Sequence, residues 1–207
     1  MISVKNLFPN KKGINTTKLK LAQNSIYSVT RPSEAEKITK IFNKIFDRKK
    51  NLVVIDGTSN VGGDVINFAM NPLVKKVYAI EFNEETFKLL KHNVGVYQLE
   101  SKVDLIHGNS SKKIFENNLK ADLLYLDPPW GGPKYKEKCK LSLFLGKKNV
   151  YEVLSEVIKK NLVKHILLKV PFNFDITKMM RRANMEEIEI YQIKTKYSAF
   201  YLLHYKL

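Results

Sequence analysis

The residues whose types are best suited to catalysis stand together at positions 127–135. This stretch reads Asp-Pro-Pro-Trp-Gly-Gly-Pro-Lys-Tyr and follows an apolar run of strand character at residues 121–126. Proline has no backbone N–H for a strand ladder, so the strand is expected to stop at Asp127. Open α/β sheets bind their ligands at the carboxyl ends of their strands. We therefore expect residues 127–135 to form part of an active site.

The chemistry that suits this stretch is reaction at an amine on a flat base. Such an amine is a poor nucleophile because its lone pair is delocalised into the ring. The Asp127 carboxylate and the Pro128 carbonyl could accept its hydrogens and orient it toward an electrophile. The Trp130 indole could stack on the base, with Gly131 and Gly132 leaving room beside it. Asp127, Pro128 and Trp130 are the predicted catalytic residues, and the competing interpretation is a rigid turn with Trp130 in the core.

Two further acids stand at strand ends. Asp56 ends the run NLVVID and precedes a glycine-containing turn, and Glu81 ends the next strand, KVYAIE. A helix N-terminus after a glycine turn offers free N–H groups, and an acid on the next strand suits two ribose hydroxyls. The spacing fits neither a dinucleotide fingerprint nor a P-loop. The pair indicates a nucleoside-containing ligand, although each acid alone could be a helix cap or a solvated strand end. Asn109, after a third strand, is either an acceptor for an adenine amine or a helix cap.

Strands and helices alternate along most of the chain. Strands are predicted at residues 51–56, 76–81, 103–107, 121–127 and 164–170, with helices between them and a first helix from about Ser33. This alternation implies a mostly parallel sheet. Residues 187–194 and 197–205 alternate like an antiparallel pair. The expected fold is α/β, with a seven-stranded, mostly parallel sheet and a C-terminal antiparallel hairpin.

Composition narrows the class of partner. The 207 residues carry a net charge of +16, which favours a polyanion such as nucleic acid, although a solvated lysine-rich surface is the alternative. A single cysteine and the lack of a signal-like N-terminus favour an intracellular protein, nuclear or cytoplasmic. We expect residues 1–32 to be a basic, mobile arm that becomes ordered near Leu21, followed by one domain at 33–207. We expect a monomer with no metal and no membrane contact.

The chain resembles the trimethylguanosine synthase family of RNA-cap guanine-N2 methyltransferases, from about Lys20 to Tyr205. The most specific matches are residues 128–133 with Tyr135, the turn at 61–63, and the segment Tyr-Ser-Val-Thr at 27–30. The resemblance implies a Rossmann-like class I methyltransferase fold, S-adenosylmethionine as the methyl donor and capped RNA as the substrate.

The resemblance also implies roles for individual residues. The donor site would comprise Thr30, Asp56, Gly57, Thr58, Gly62, Glu81, Asn109 and Asp127. The cap would be bound by Lys20, Trp130, Lys134, Tyr135, Lys169 and Asn173, with Trp130 stacked on the methylated guanine.

Several positions depart from the family pattern. Asp127 stands where well-known members carry serine, and Asp-Pro-Pro-Trp is closer to methyltransferases that modify adenine N6. Phe172 stands where an arginine is expected on the cap phosphates, so that contact is missing or supplied by Lys169. Two alternatives therefore stay open: an adenine-N6 methyltransferase on RNA or DNA, and a non-catalytic RNA-binding relative. The number of methyl groups added and the RNA used also stay open.

Overall fold

The computed structural model describes residues 4–47, 49–196 and 198–207. In the order of the chain, its helices and strands are α1 (Pro32–Phe46), β1 (Leu52–Asp56), α2 (Gly63–Met70), β2 (Val74–Glu81), α3 (Glu84–Val96), β3 (Val103–His107), α4 (Ser110–Glu116), β4 (Ala121–Leu126), β5 (Phe144–Leu145), β6 (Lys148–Asn149), α5 (Val150–Lys159), β7 (Val163–Val170), α6 (Ile176–Ala183), β8 (Glu189–Lys194) and β9 (Ala199–Lys206). Short 3-10 helices cover Val4–Leu7, Thr16–Lys18, Gln23–Tyr27 and Pro133–Glu137.

The main sheet has seven strands in the order β3-β2-β1-β4-β7-β9-β8. The pairs β1–β2, β2–β3 and β4–β7 are parallel, whereas β9 runs antiparallel to both β7 and β8. This topology confirms the predicted α/β class, the seven strands and the C-terminal antiparallel hairpin. The first residue of the last predicted strand, Tyr197, lies outside the described residues. The region 128–148, predicted as a loop, contains the 3-10 helix Pro133–Glu137 and the small antiparallel pair β5–β6.

The chain divides into two compact units, Met1–Gly108 and Asn109–Leu207. The first unit is built on β1, β2 and β3, and α1 lies on it with Ile38, Phe42 and Phe46 buried at helical spacing. In the second unit, β4 and β7 are mostly buried, and their apolar runs at residues 123–126 and 166–168 lie in the core. Within the described ranges, no helix is long and apolar enough to cross a membrane.

The N-terminal segment corrects one prediction. Residues 1–3 lie outside the described part, but Leu7 and Phe8 are each only 1% exposed. Burying two such side chains favours an ordered segment by about 1.5–3 kcal/mol each. Asn93 of α3 also holds the backbone of Lys20, accepting its N–H and donating to its carbonyl, both at 2.9 Å. The prediction that this segment becomes ordered only near Leu21 is therefore wrong for residues 4–20.

Candidate active site

The turn after β1 is shaped by Asp56. Its side chain is fully buried, and its Oδ1 accepts the Thr58 N–H at 3.0 Å. The Ser59 hydroxyl donates to the Asp56 carbonyl at 3.0 Å. Gly57 follows in the same turn and is buried. Asp56 therefore organises the turn through its neighbours, and direct contact with a ligand stays a prediction.

Glycine is required at the start of α2 for two different reasons. Gly62 has a φ of +101°, a backbone conformation that favours glycine. A Cβ on Gly63 would lie 2.9 Å from Val29 Cγ2 and 3.2 Å from the Thr30 carbonyl oxygen. Thr30 is buried, and its hydroxyl donates to Asp64 Oδ2 at 2.6 Å. The segment at 29–30 is thus held against the N-terminus of α2, and a donor contact from Thr30 stays a prediction.

Glu81, at the end of β2, is oriented by two backbone amides. Its Oε2 accepts the Asn60 N–H and its Oε1 accepts the Asn83 N–H, both at 2.8 Å. A carboxylate oxygen can accept two hydrogen bonds, so each oxygen keeps acceptor capacity. The next residue, Phe82, is 69% exposed. We did not predict a role for Phe82, although an aromatic residue directly after a strand-end acid was a usable signal. We call Asp56, Thr58, Asn60, Glu81 and Phe82 the Glu81 cluster.

Asp127, directly after β4, forms an ion pair with a buried lysine. Its Oδ2 lies 2.8 Å from Lys169 Nζ. Lys169 is only 5% exposed, and its Nζ lies 4.9 Å from the ring centroid of Phe200. The contact of Lys169 with cap phosphates stays a prediction, and this buried pairing argues against it.

Trp130 lies in a cluster of aromatic rings. Its indole is half-buried and meets Tyr135 edge-on, with ring centroids 5.2 Å apart. The Phe200 ring lies 6.5 Å away. The indole Nε1 is buried and has no hydrogen-bond partner among the described residues, an uncommon state for a buried donor. Trp130 is thus braced by rings on β9 and on the following 3-10 helix. We call Asp127, Trp130, Tyr135, Lys169 and Phe200 the Trp130 cluster.

The loop after Trp130 is tied down by Asn173. Its Nδ2 donates to the carbonyls of Tyr135 and Lys138, both at 2.7 Å. Asn173 therefore fixes the 3-10 helix, which was not its predicted role as a cap ligand. Burial raises the pKa of Tyr135 further above neutrality, where a phenol is a hydrogen-bond donor in any case. Lys134 on the same helix is exposed.

The remaining predicted residues have clear local positions. Asn109 Oδ1 accepts the Ser111 N–H at 2.9 Å and caps α4, as one of its two interpretations required. Its Nδ2 would lie 2.1 Å from a Cβ on Gly146, so this side chain packs closely on the later loop. Lys20 is exposed, and only its backbone is held.

The fold and the strand-end acids place the chain in one class, the Rossmann-like S-adenosylmethionine-dependent methyltransferases. A solved precorrin-6y C5,15-methyltransferase of Geobacter metallireducens GS-15 shares the fold, with a TM-score of 0.60 and 14% identity over 91% of this chain and 93% of that one. The chain belongs to the RNA cap guanine-N2 methyltransferase family, whose model matches residues 51–205.

Two curated relatives are similar to the chain in sequence. An uncharacterised protein of Acanthamoeba polyphaga mimivirus is 33% identical over 195 residues, which cover 84% of this chain and 75% of the relative. The trimethylguanosine synthase of Schizosaccharomyces pombe is 32% identical over 123 residues, which cover 58% of this chain. The matched stretch spans 49% of the length of that synthase.

The Glu81 cluster fits the methyl donor that this class uses. The two oriented oxygens of Glu81 suit a pair of ribose hydroxyls, and the exposed Phe82 ring suits the flat face of an adenine. In the ranges that the structure describes, no group of three or more His, Cys, Asp or Glu residues could hold a metal ion.

Proposed function

We propose that the chain transfers a methyl group from S-adenosylmethionine to the exocyclic N2 amine of a 7-methylguanosine RNA cap. The observation that carries this proposal is the Trp130 cluster. A half-buried indole braced by Tyr135 and Phe200 stands three residues after an acid that pairs with Lys169 directly after β4. A braced aromatic ring holds a cationic, flat base well, and an acid beside it suits the amine of that base. The family match supports the guanine N2 position.

Catalysis in this proposal is mainly positioning. The Asp127 carboxylate and the Pro128 carbonyl accept the amine hydrogens, which aims the nitrogen lone pair away from the ring plane. When bound, the donor supplies a methyl group on a positively charged sulfur. The bond from nitrogen to the methyl carbon forms as the sulfur–carbon bond breaks. The extra proton of the amine leaves to solvent, so no residue is assigned as a dedicated base.

The proposed contacts fall into two groups, one for the methyl acceptor and one for the methyl donor. Trp130 stacks on the methylated guanine, while Lys20, Lys134 and Tyr135 lie at the phosphates of the cap. Exposed lysines and the net charge of +16 support a capped RNA as the partner. Glu81 and Phe82 hold the nucleoside of the donor, with contributions from the turn residues Thr30, Asp56, Gly57, Thr58 and Gly62 and from Asn109.

One observation favours a second candidate function, methylation of adenine N6 on RNA or DNA. Asp127 gives this chain the Asp-Pro-Pro-Trp sequence, and its Oδ2 lies 2.8 Å from Lys169 Nζ. An ionised acid suits the amine of adenine as well as that of guanine, because both amines are hydrogen-bond donors.

Labelled methyl transfer to separate substrates tests these proposals. We would compare RNA with a 7-methylguanosine cap, uncapped RNA and single-stranded DNA, and identify the labelled nucleoside in each. N2-methylated 7-methylguanosine from capped RNA alone supports the cap reaction, whereas labelled N6-methyladenosine supports the second candidate. Asp127→Asn, directly after β4, should lose most of the activity, while its matched control Asp122→Asn, near the start of β4, should keep it.

A further inference from the structure

Lys169 connects the acid of the Trp130 cluster to its aromatic rings. The parallel register of β4 with β7 brings Asp127 beside Lys169, and the two charged atoms lie 2.8 Å apart. The same ammonium lies 4.9 Å from the Phe200 ring, whose centroid is 6.5 Å from that of Trp130. The acid and the indole are therefore linked through one lysine and one buried phenylalanine.

A second ion pair, between β4 and β7, shows that the burial of Lys169 is unusual. Lys164 lies on β7 and Asp122 on β4, with charged atoms 2.7 Å apart, but the Lys164 side chain is 67% exposed. The Lys169 side chain is 6% exposed. A buried ammonium needs a charged or strongly hydrogen-bonding partner, whereas a solvated one does not. The ion pair of Lys169 with Asp127 therefore stabilises a buried charge, whereas the ion pair of Lys164 with Asp122 involves a charge that water already solvates.

We propose that Lys169 is a positioning residue of the acceptor site, which holds the Asp127 carboxylate ionised and aimed at the amine of the base. This inference rests on the proposed transfer to a base amine. An ionised carboxylate accepts hydrogen bonds and cannot donate them, so it matches the amine hydrogens. Phe200, packed between Lys169 and Trp130, keeps the acid and the stacking ring at a constant spacing. A displacement of about 1 Å at the reacting atoms costs on the order of 100-fold in rate.

The test is a double-mutant cycle measured as kcat and KM. Lys169→Met should lower kcat about 100-fold with KM for the acceptor changed less than about threefold, because the acid is no longer aimed. Lys169→Arg should recover much of the lost kcat, since it restores a cation beside Asp127. In an Asp127→Asn background, Lys169→Met should cost less than about threefold more, because the acid it positions is already gone.

A different pattern would overturn the proposal. A raised KM with unchanged kcat, together with a weaker salt dependence, would make Lys169 a phosphate contact instead. Losses that multiply in the double variant would also contradict it. If Lys169→Met fails to bind the donor, kcat is compared between Asp127→Asn and the double variant. The double variant carries neither charge of the ion pair, so it leaves no buried charge behind. Equal kcat values there support the proposal, and a further large loss contradicts it.

Lys164→Met is the matched control, because it removes the solvated lysine of the second ion pair on the same strands. It should leave kcat and KM unchanged. Identification of the nucleoside that the wild-type protein methylates tests the cap reaction. The double-mutant cycle is measured on whichever base amine is found to be methylated. Failure of the cap reaction is therefore distinguishable from failure of the role assigned to Lys169.

Discussion

The backbone N–H of Asn60 donates to Glu81 Oε2 at 2.8 Å, so the turn after β1 and the acid at the end of β2 are tied together. The Asn60 side chain in turn accepts from the Ser25 hydroxyl at 2.7 Å. This chain of bonds sets the direction of the Glu81 carboxylate before any ligand arrives. A preorganised acceptor binds a ligand more tightly because less ordering remains to be done.

Glu81→Gln should weaken binding of S-adenosylmethionine by about 10- to 100-fold. A charge-assisted hydrogen bond contributes roughly 1.5–3 kcal/mol, and each 1.4 kcal/mol is about tenfold in affinity. The amide of Gln also faces one backbone N–H with an NH₂ group, so one orienting bond is lost. Calorimetric titration with the donor measures the effect. Glu84→Gln, which removes an exposed acid paired with Lys88, is the control, and unchanged affinity in Glu81→Gln would exclude the ribose role.

Trp130→Ala should weaken binding of a 7-methylguanosine nucleotide by about 5- to 150-fold while donor binding is kept. Stacking of a base on an aromatic side chain contributes about 1–3 kcal/mol. Trp130 is the single tryptophan of the chain, so quenching of its fluorescence reports acceptor binding directly in the wild-type protein. Phe144→Ala, at another partly exposed aromatic residue, should leave both affinities unchanged. An equal loss of donor binding and melting temperature in Trp130→Ala would identify a core residue instead.

Gly63→Ala should lower the free energy of unfolding by about 1–3 kcal/mol, the usual cost of an overpacked site. The new Cβ would lie 2.9 Å from Val29 and 3.2 Å from a backbone oxygen of Thr30, so the segment at 29–30 must move. Gly95→Ala on α3 is the control. Its Cβ would meet only the flexible end of Glu100, at 3.3 Å, and alanine favours a helix by up to about 1 kcal/mol. Urea unfolding checks both variants, and equal shifts would contradict the close approach.

Stability should fall as the pH drops below about 6.5, because His204 is buried. Burial, and to a lesser degree Lys206, lowers the pKa of His204 against the opposing effect of Glu189. Its Nε2 also lies 2.9 Å from His165 Nδ1, a contact that needs one nitrogen without a proton. The unfolded state therefore binds a proton at higher pH than the folded state, so the stabilisation is complete above the unfolded pKa and is lost as the pH falls toward the folded pKa.

Urea unfolding at about pH 7.5 and about pH 5.5 measures this effect. The acids with lowered pKa values, such as Glu84 and Glu156, titrate below 4.5 and lie outside this window. His204→Gln should flatten the difference, whereas His107→Gln, at an exposed histidine, should keep it. A wild-type free energy of unfolding that is equal or higher at the lower pH would contradict the assignment.

Local pattern was enough to locate the strands and their acidic ends. Alternating apolar strands and helices led to the sheet, and the prolines after Asp127 marked the end of β4, because both signals act within a few residues. The ion pair of Asp127 with Lys169 could not be predicted, since it depends on which strands become neighbours. The same holds for the order of residues 4–20, where the Tyr97 hydroxyl donates to the Pro9 carbonyl and Asn93 holds the backbone of Lys20.

A competition within one substrate tests the central claim most directly. A short RNA whose 7-methylguanosine cap is followed by adenosine offers both candidate amines in the same molecule. After reaction with labelled S-adenosylmethionine and digestion to nucleosides, the label is expected in N2-methylated 7-methylguanosine. Label in N6-methyladenosine alone would contradict the cap reaction.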